Sequence, residues 1–297
     1  MLQSRKDPFI DLMNPVAVPM SAAAARELVC ILKETAGIRI DPGNRQFLSY
    51  RMDRRLTALG LKNYDDYIDL LQSDAGPAEI QTLVESLATH TTSFFRERAH
   101  YDWLEKIGLP KLVAEGAGHS HPLMVWSAAC SAGLELWSAG IVLDRFAHRV
   151  PGGLRWGLFG TDISAPIVKR AKLGIYTATE LSGLSLDQRS EYLLRSKPGA
   201  RISPRQRIYR IVPTLRSRAH FCTANLLTPL EAEVPRSDIV FLRNVLIYFT
   251  AEDRIRAIQN VMACMRPGGL LLLGHSDNLR AVPKGLTPCG TAIFRKD

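Results

Sequence analysis

Cysteines are few in this chain, and none of them are neighbours. Cys30, Cys130, Cys222, Cys264 and Cys289 include no Cys-x-x-Cys pair, and no histidine stands near them at ligand spacing. A structural zinc site needs closer pairing, and a secreted disulfide framework usually has an even count. Reduced thiols and no metal are therefore expected. Long apolar runs are missing too: no stretch approaches the roughly 20 consecutive apolar residues of a membrane-spanning helix. The first twenty residues hold short apolar groups broken by Pro8, Pro15 and Pro19. They read as a loose arm and not as a secretion signal. A cytoplasmic protein without membrane insertion is expected. No internal repeat or low-complexity tract is visible. The Gly-x-Gly-x-x-Gly fingerprint of a pyrophosphate binder is also absent, which argues against NAD.

What is present describes an ordinary globular protein. With 297 residues and a hydrophobic fraction of 46% there is room for one large domain, or for a large and a small one. Lys and Arg number 38 against 29 Asp and Glu, a formal net charge of +9. Such a surface attracts an acidic partner, whether nucleic acid, anionic membrane or a glutamate-rich protein; it also serves plain solubility.

Residues 22 to about 116 read as helices separated by polar turns. Leu28, Val29, Ile31 and Leu32 give one apolar face, closed by Gly37. Asp41-Pro42 announces a second helix that runs to Gly60, with Leu48, Met52, Leu56 and Leu59 on one side. A third covers Tyr64 to Leu71, and Pro77 opens a fourth that reaches about Leu87. On the second helix Arg55 falls inside the apolar arc and Arg51 at its border. Solvated arginines usually avoid that position. An internal salt bridge explains it, and so does a docking edge for an acidic partner helix.

The pattern changes at Pro122. Leu123 to Trp126 is a short apolar run, followed by the small residues Ser127 to Gly133 and a helix from Leu134 to about Ala147. A second run, Leu154 to Phe159, ends in Gly160-Thr161-Asp162-Ile163 before a helix at Ala165 to Leu173. Asp238 to Leu242, a helix from Glu252 to Met265, and Leu270 to Leu273 after Pro267-Gly268-Gly269 continue the alternation. Strands alternating with helices indicate a parallel sheet covered on both faces. Between Gly174 and Ala219 the alternation lapses. That segment carries Arg195, Lys197, Arg201, Arg205, Arg207, Arg210, Arg216 and Arg218, with β-prone pieces such as Ile208 to Val212. It reads as an insertion.

Several residues fall where such a sheet binds ligands, at the carboxyl ends of its strands. The loop after the first strand, including Ala128, has side chains small enough for close backbone approach. Asp162 closes the second strand, where a carboxylate accepts hydrogen bonds from ribose hydroxyls; the alternative is an N-cap for the following helix, a task open to Ser164. Asn225 and Asn244 sit at the same edge, as readers of an adenine or amino acid group or as turn residues. Thr89 to Glu97 links the two domains. It reads as a helix cap with an aromatic staple, or as a mount that fixes Arg96 to receive a carboxylate bidentately.

Thr-x-x-Thr-x-Phe-Phe-Arg-Glu, Val-Trp-Ser-Ala-Ala-Cys-Ser-x-Gly, Asp162-Ile163, Gly174-Ile175-Tyr176, Asn225-Leu226-Leu227, Arg-Asn-Val-Leu-Ile-Tyr-Phe and Gly274-His275-Ser276 occur in one order. This arrangement resembles the CheR-type chemotaxis receptor methyltransferases over about residues 22 to 294. The helical part is similar too, through Thr35-x-Gly37-Ile38 and Arg51-x-x-Arg54-Arg55-Leu56-x-x-Leu59-Gly60-Leu61. The resemblance implies an α/β protein: an N-terminal all-helical domain plus a doubly wound, Rossmann-like class I methyltransferase domain with an inserted small β-subdomain. The expected layout is a flexible arm over 1–20, the helical domain and linker over 21–96, and the methyltransferase domain over 97–297, with the insertion at about 175–220.

The resemblance further implies S-adenosylmethionine as cofactor and glutamate side chains of a chemoreceptor's cytoplasmic domain as acceptors, with S-adenosylhomocysteine as product. Thr92, Glu135, Asp162, Asn225, Leu226, Asn244 and Val245 stand at cofactor positions, joined by His90 and Ala128. Arg96 stands between cofactor and substrate, and Tyr248 matches a tyrosine lining the acceptor site. Arg51, Arg54 and Arg55 are the expected receptor-docking residues, and a monomer is expected. This chain departs from the family pattern at His90, where asparagine is usual, and at Ala132 and Leu134, which replace threonine and glutamate. Each lost hydrogen bond to the cofactor would cost about 1 kcal/mol. A module that binds cofactor or partner without catalysis is the alternative those departures raise. A nucleic-acid methyltransferase is disfavoured: Arg243-Asn244-Val245-Leu246 stands where an Asn/Asp-Pro-Pro-aromatic segment is usual, and no aromatic-interleaved basic platform is present.

Overall fold

The computed structural model describes residues 19–196, 207–277 and 282–297. The arm expected over 1–20 lies almost wholly outside them, as do Lys197, Arg201 and Arg205 of the basic segment. The chain divides into two compact units between Ala88 and Thr89, so the segment from Thr89 to Arg96 belongs to the second.

The first unit holds four helices: α1 (Ala22–Ala36), α2 (Arg45–Leu59), α3 (Tyr64–Gln72) and α4 (Gly76–Leu87). The sequence states their limits. Ser21, Asn44 and Asn63 cap the first three with side-chain oxygens that accept the backbone N–H three residues on, each cap contributing about 1 kcal/mol. Gly37 and Gly60 end α1 and α2 in the left-handed conformation. Leu28, Leu32, Leu48, Met52, Leu56, Tyr67, Leu83 and Leu87 are buried between them. Arg55 is not free for a partner. Its Nε donates to Glu79 Oε1 at 2.8 Å, its Nη2 reaches Glu79 Oε2, and the Tyr67 hydroxyl donates to the same carboxylate at 2.8 Å. The internal salt bridge thus accounts for Arg55 on the apolar arc, because a buried carboxylate needs a cation and a donor beside it. Arg51 lies half-buried over the Phe47 ring, and Arg54 is exposed.

The second unit begins with α5 (Arg98–Trp103) and α6 (Leu109–Ala114), joined by a π-helical turn over Leu104–Gly108. Then strands and helices alternate: β1 (Leu123–Ala128), α7 (Leu134–Ala147), β2 (Trp156–Asp162), α8 (Ala165–Leu173), β3 (Ile175–Thr177), α9 (Leu186–Tyr192), β4 (Leu193–Arg195), β5 (Ile208–Ile211), α10 (Pro213–Arg216), β6 (Ala219–Thr223), β7 (Ser237–Leu242), α11 (Ala251–Ala263), β8 (Met265–Leu273), β9 (Leu286–Gly290) and β10 (Ile293–Lys296). The main sheet runs β6-β2-β1-β7-β8-β10-β9. Its first five strands are parallel, and β10 is antiparallel to both neighbours. Helices on both faces explain why β7 is buried along its whole length and β1 at every position but Met124. A separate three-stranded antiparallel sheet, β3-β5-β4, forms the insertion.

Two features were not visible in the sequence. The closing β9–β10 pair carries no tight hairpin dipeptide. The strand expected at Leu270 starts at Met265, running through Pro267-Gly268-Gly269 with a register shift against β7 between Ser237 and Ile239. Chain order reverses between β1 and β7, with β2 and β6 on one side and β8 on the other, and in such sheets this switch point is where ligands bind.

Candidate active site

The loop leaving β1 is wound unusually tightly. Ala129, Ser131 and Gly133 all have positive φ, at 68°, 50° and 86°. Two of these are not glycine, a strain of order 1–3 kcal/mol each that the surroundings must hold. They do so through Cys130 N–H to Thr161 O at 2.7 Å, Ser131 N–H to Asp162 Oδ2 at 2.8 Å and Ser131 Oγ to His90 O at 3.0 Å. At Gly133 a side chain would lie 3.0 Å from Ala171 Cβ, so close helix packing and the backbone angle both require glycine.

Asp162 ends β2 with 6% of its surface exposed. Ser164 occupies the cap position of α8, and Asp162 Oδ1 takes the Ser164 N–H at 3.1 Å. Burial pushes the Asp162 carboxyl above its ordinary range, opposed by the Ser164 N–H, the nearby His90 ring and the Ser131 N–H. The carboxylate thus accepts the backbone N–H groups of Ser131, Ser164 and Ile163 and, with about four acceptor sites, retains capacity for a hydroxyl hydrogen.

Arg243, directly after β7, is the electrostatic centre of this edge. Its side chain is 0% exposed. Nη2 lies 3.1 Å from Glu97 Oε2 and donates to Arg96 O at 2.6 Å; Nη1 lies 3.2 Å from Glu135 Oε2. Glu135, on the first turn of α7, also accepts Ser127 Oγ–H at 2.7 Å. Burial raises the Glu135 carboxyl against the pull of Arg243. At Glu97 burial also acts upward, but Arg243 and the His275 N–H outweigh it and hold that carboxyl low. Burial, then Arg243, lowers His100.

Arg96 stands between two residues with left-handed backbones, Phe95 at φ 52° and Glu97 at φ 55°. The Phe95 N–H is pinned to Ser138 Oγ at 2.9 Å, and the Phe94 and Phe95 rings are buried against Tyr176 and Tyr101. The Arg96 guanidinium itself is exposed and donates to Thr91 O at 3.2 Å. Thr92 is half-buried in the same segment. Asn225 Oδ1 accepts the Leu227 N–H at 3.0 Å, an Asx turn, and Leu226 is buried with Val245 and Tyr248 beside its cluster. Asn244, at φ 57°, gives its N–H to Asp277 and its Nδ2 to Ser276 Oγ at 2.8 Å. A side chain at Gly274 would lie 2.8 Å from both Asn244 Nδ2 and Asp277 Oδ2.

Sequence reasoning missed Arg243, Glu97, Ser127 and Asp277. Arg243 and Glu97 stood inside quoted motifs, but only folding brings β7, α7 and the Phe95–Glu97 turn together. Leu134 and Ala132 are buried in the hydrophobic core. Their departures from the family pattern are therefore changes of core side chains.

A doubly wound sheet with a buried carboxylate ending its second strand, and small and amide residues along the same edge, defines a Rossmann-like nucleoside-cofactor fold. Within that class the chain is an S-adenosylmethionine-dependent methyltransferase. Residues 24–88 match the "CheR methyltransferase, all-alpha domain" and residues 90–294 the "CheR methyltransferase, SAM binding domain". The chain belongs to the CheR methyltransferase family. It is 30% identical to the chemotaxis protein methyltransferase of Escherichia coli over 93% of this chain and 91% of that one. It is 31% identical to the Salmonella typhimurium protein of the same name over 93% and 90%. With chemotaxis protein methyltransferase 1 of Pseudomonas aeruginosa the identity is 32% over 89% and 94%. Among the described residues, no helix is long and apolar enough to cross a membrane.

Proposed function

We propose that this chain esterifies glutamate side chains on the cytoplasmic part of a chemoreceptor-type protein, acting as a cytoplasmic monomer. The observation that carries this reading is the contrast between two arginines. Arg243 is buried and paired with Glu97 and Glu135. Arg96, set between the left-handed residues Phe95 and Glu97, presents an exposed guanidinium.

Asp162, Glu135, Asn225, Leu226, Asn244 and Val245, with His90, Thr92, Ala128 and Arg96, are the residues that would hold the cofactor. The chemistry of the donor set supports it: a buried carboxylate suits a ribose diol, apolar Leu226 and Val245 suit a flat base, and the tight backbone around Gly133 leaves room for close approach. Bound S-adenosylmethionine supplies a methyl group already made electrophilic by its sulfonium. A glutamate carboxylate is ionised at neutral pH, so the protein needs no general base. Its task is to desolvate that carboxylate and align it. Arg96 would fix one side of the acceptor by a partial, geometric contact, since a full ion pair would quench the nucleophile. Tyr248 would orient the acceptor oxygen. Arg51 and Arg54 would receive an acidic receptor helix; Arg55 is committed to Glu79.

The test is calorimetry with S-adenosylmethionine and S-adenosylhomocysteine, followed by transfer of labelled methyl to receptor fragments, in the parent and in Arg96→Ala. The parent should bind both and transfer; Arg96→Ala should transfer far more slowly at subsaturating substrate and cofactor. Equal rates would remove Arg96 from the mechanism. Binding without any transfer would make the chain a regulatory module instead.

A further inference from the structure

Glu97 Oε2 has more neighbours than its salt bridge to Arg243 explains. His100 Nδ1 lies 3.6 Å from it and His275 Nδ1 3.8 Å. The His100 ring is 2% exposed, and its Nε2 is 3.2 Å from the carbonyl oxygen of Thr291. A carbonyl only accepts, so Nε2 carries the proton and the neutral ring presents a lone pair at Nδ1. That nitrogen is buried and has no hydrogen-bond partner among the described residues. The group it faces is a carboxylate, also an acceptor. Two acceptors thus meet with no donor between them, an arrangement that a cation would relieve.

His275 adds a third donor atom, and one ligand atom from each of the three residues falls within 4.8 Å of the others. In a tetrahedral zinc site with bonds of about 2.0–2.1 Å, adjacent ligand atoms are about 3.4 Å apart. The two distances to Glu97 Oε2, 3.6 and 3.8 Å, need a small contraction, and the two imidazole nitrogens, within 4.8 Å of each other, would have to close further. We propose that Glu97 Oε2, His100 Nδ1 and His275 Nδ1 form a site for one zinc-class dication, its fourth position open to water. The surroundings have the features of an outer ligand shell: Thr291 O orients the His100 ring, and Arg243 donates to the ligating carboxylate. Two imidazoles and one carboxylate favour zinc, cobalt, nickel or copper over magnesium or calcium. The His275 side chain is 54% exposed, which gives the ion a way in.

Chelator-stripped full-length protein, titrated with Co²⁺ alone, should develop the visible absorption of tetrahedral cobalt at one equivalent, and Zn²⁺ should displace it. His275→Ala keeps the backbone N–H that contacts Glu97 and removes only an exposed ligand. It should weaken binding more than the 10- to 100-fold typical of losing an outer-shell partner, and His100→Ala should do the same. If His100→Ala does not fold, His275→Ala decides. Absence of the cobalt bands would mean that a proton, not a metal, bridges Glu97 and His100. Cobalt–thiolate charge-transfer bands, or unchanged one-equivalent binding in His275→Ala, would place the metal elsewhere. Each of these results overturns the proposal.

Discussion

Arg243 Nη1 stands 3.2 Å from Glu135 Oε2, and through this contact the residue that follows β7 neutralises a carboxylate on the first turn of α7. The same guanidinium holds Glu97 and the carbonyl of Arg96. The exposed arginine is thus positioned by the buried one. Removing one partner of such a pair leaves charge stranded, which costs about 3–5 kcal/mol. Arg243→Met should lose stability of that order in urea unfolding. Arg243→Lys should recover only part of it, because one ammonium cannot span both carboxylates. A loss under about 1 kcal/mol would mean that water reaches Glu97 and Glu135 after all.

Asp162 offers its remaining acceptor sites from a buried position. Charge-assisted hydrogen bonds contribute about 1.5–3 kcal/mol, so Asp162→Asn should weaken S-adenosylmethionine binding roughly 10- to 100-fold by calorimetry. Burial raises this carboxyl above its usual range. In the parent, affinity should therefore fall on acidification at a pH above that of an ordinary aspartate, and the asparagine variant should lack that step. A shared acid limb in both proteins would assign the titration to another group.

The fold was largely legible because its signals are local. The glycines at 37 and 60, Asp41-Pro42 and Pro77 at helix starts, and the apolar runs at β1 and β7 each state their structure within a few residues. Asp162 was legible for the same reason, being the polar residue that terminates an apolar run. The Arg243 hub was not, since its charge is satisfied by segments far away in the chain and only packing unites them. Arg55 lay between these cases. Its place on the apolar arc was visible, but the choice between a partner and an internal acid depended on where Glu79 would fall. The β9–β10 pair stayed hidden because Thr291 and Ala292 at its turn give no strong turn signal.

The Arg55–Glu79 pair should leave a pH signature in the helical unit. Burial pushes the Glu79 carboxyl up, but Arg55 and Tyr67 together outweigh it and hold it below its ordinary value. A carboxylate whose folded pKa is depressed stabilises the protein above its unfolded pKa, near 4.3–4.5, and loses that contribution as pH falls through the folded value. Glu79→Gln should therefore be less stable than the parent by about 1–3 kcal/mol at neutral pH. The gap should close as the solution is acidified below about pH 4.5. A gap independent of pH would show that packing of the side chain, and not its charge, is what matters.

Gly274 tests the far end of the cofactor edge. A methyl group there would press on Asn244 Nδ2 and Asp277 Oδ2, both 2.8 Å away. Asp277 is buried and accepts the N–H groups of Asn244 and Gly274. Neither group is free to retreat. Gly274→Ala should cost about 1–3 kcal/mol of stability by overpacking, and the displaced Asn244 should also raise the dissociation constant for S-adenosylmethionine. A variant with parental stability and parental affinity would mean that the loop after β8 yields easily and that Asn244 is not held where the cofactor needs it.

Arg51 and Arg54 remain on the first unit once Arg55 is paired, one half-buried over Phe47 and one exposed. If they receive an acidic receptor helix, reversing both charges should weaken binding of a receptor fragment by about 1 kcal/mol per charge, or roughly 5- to 30-fold in total. The deficit should shrink as salt is raised, because exposed charges are screened within about 8–10 Å at physiological ionic strength. Cofactor affinity should stay at the parental value, since both arginines lie outside the methyltransferase unit. Surface plasmon resonance at two salt concentrations, with calorimetry for the cofactor, separates the outcomes. An unchanged receptor affinity would remove α2 as the docking face, and a parallel loss of cofactor affinity would mean that the substitutions had unsettled the fold.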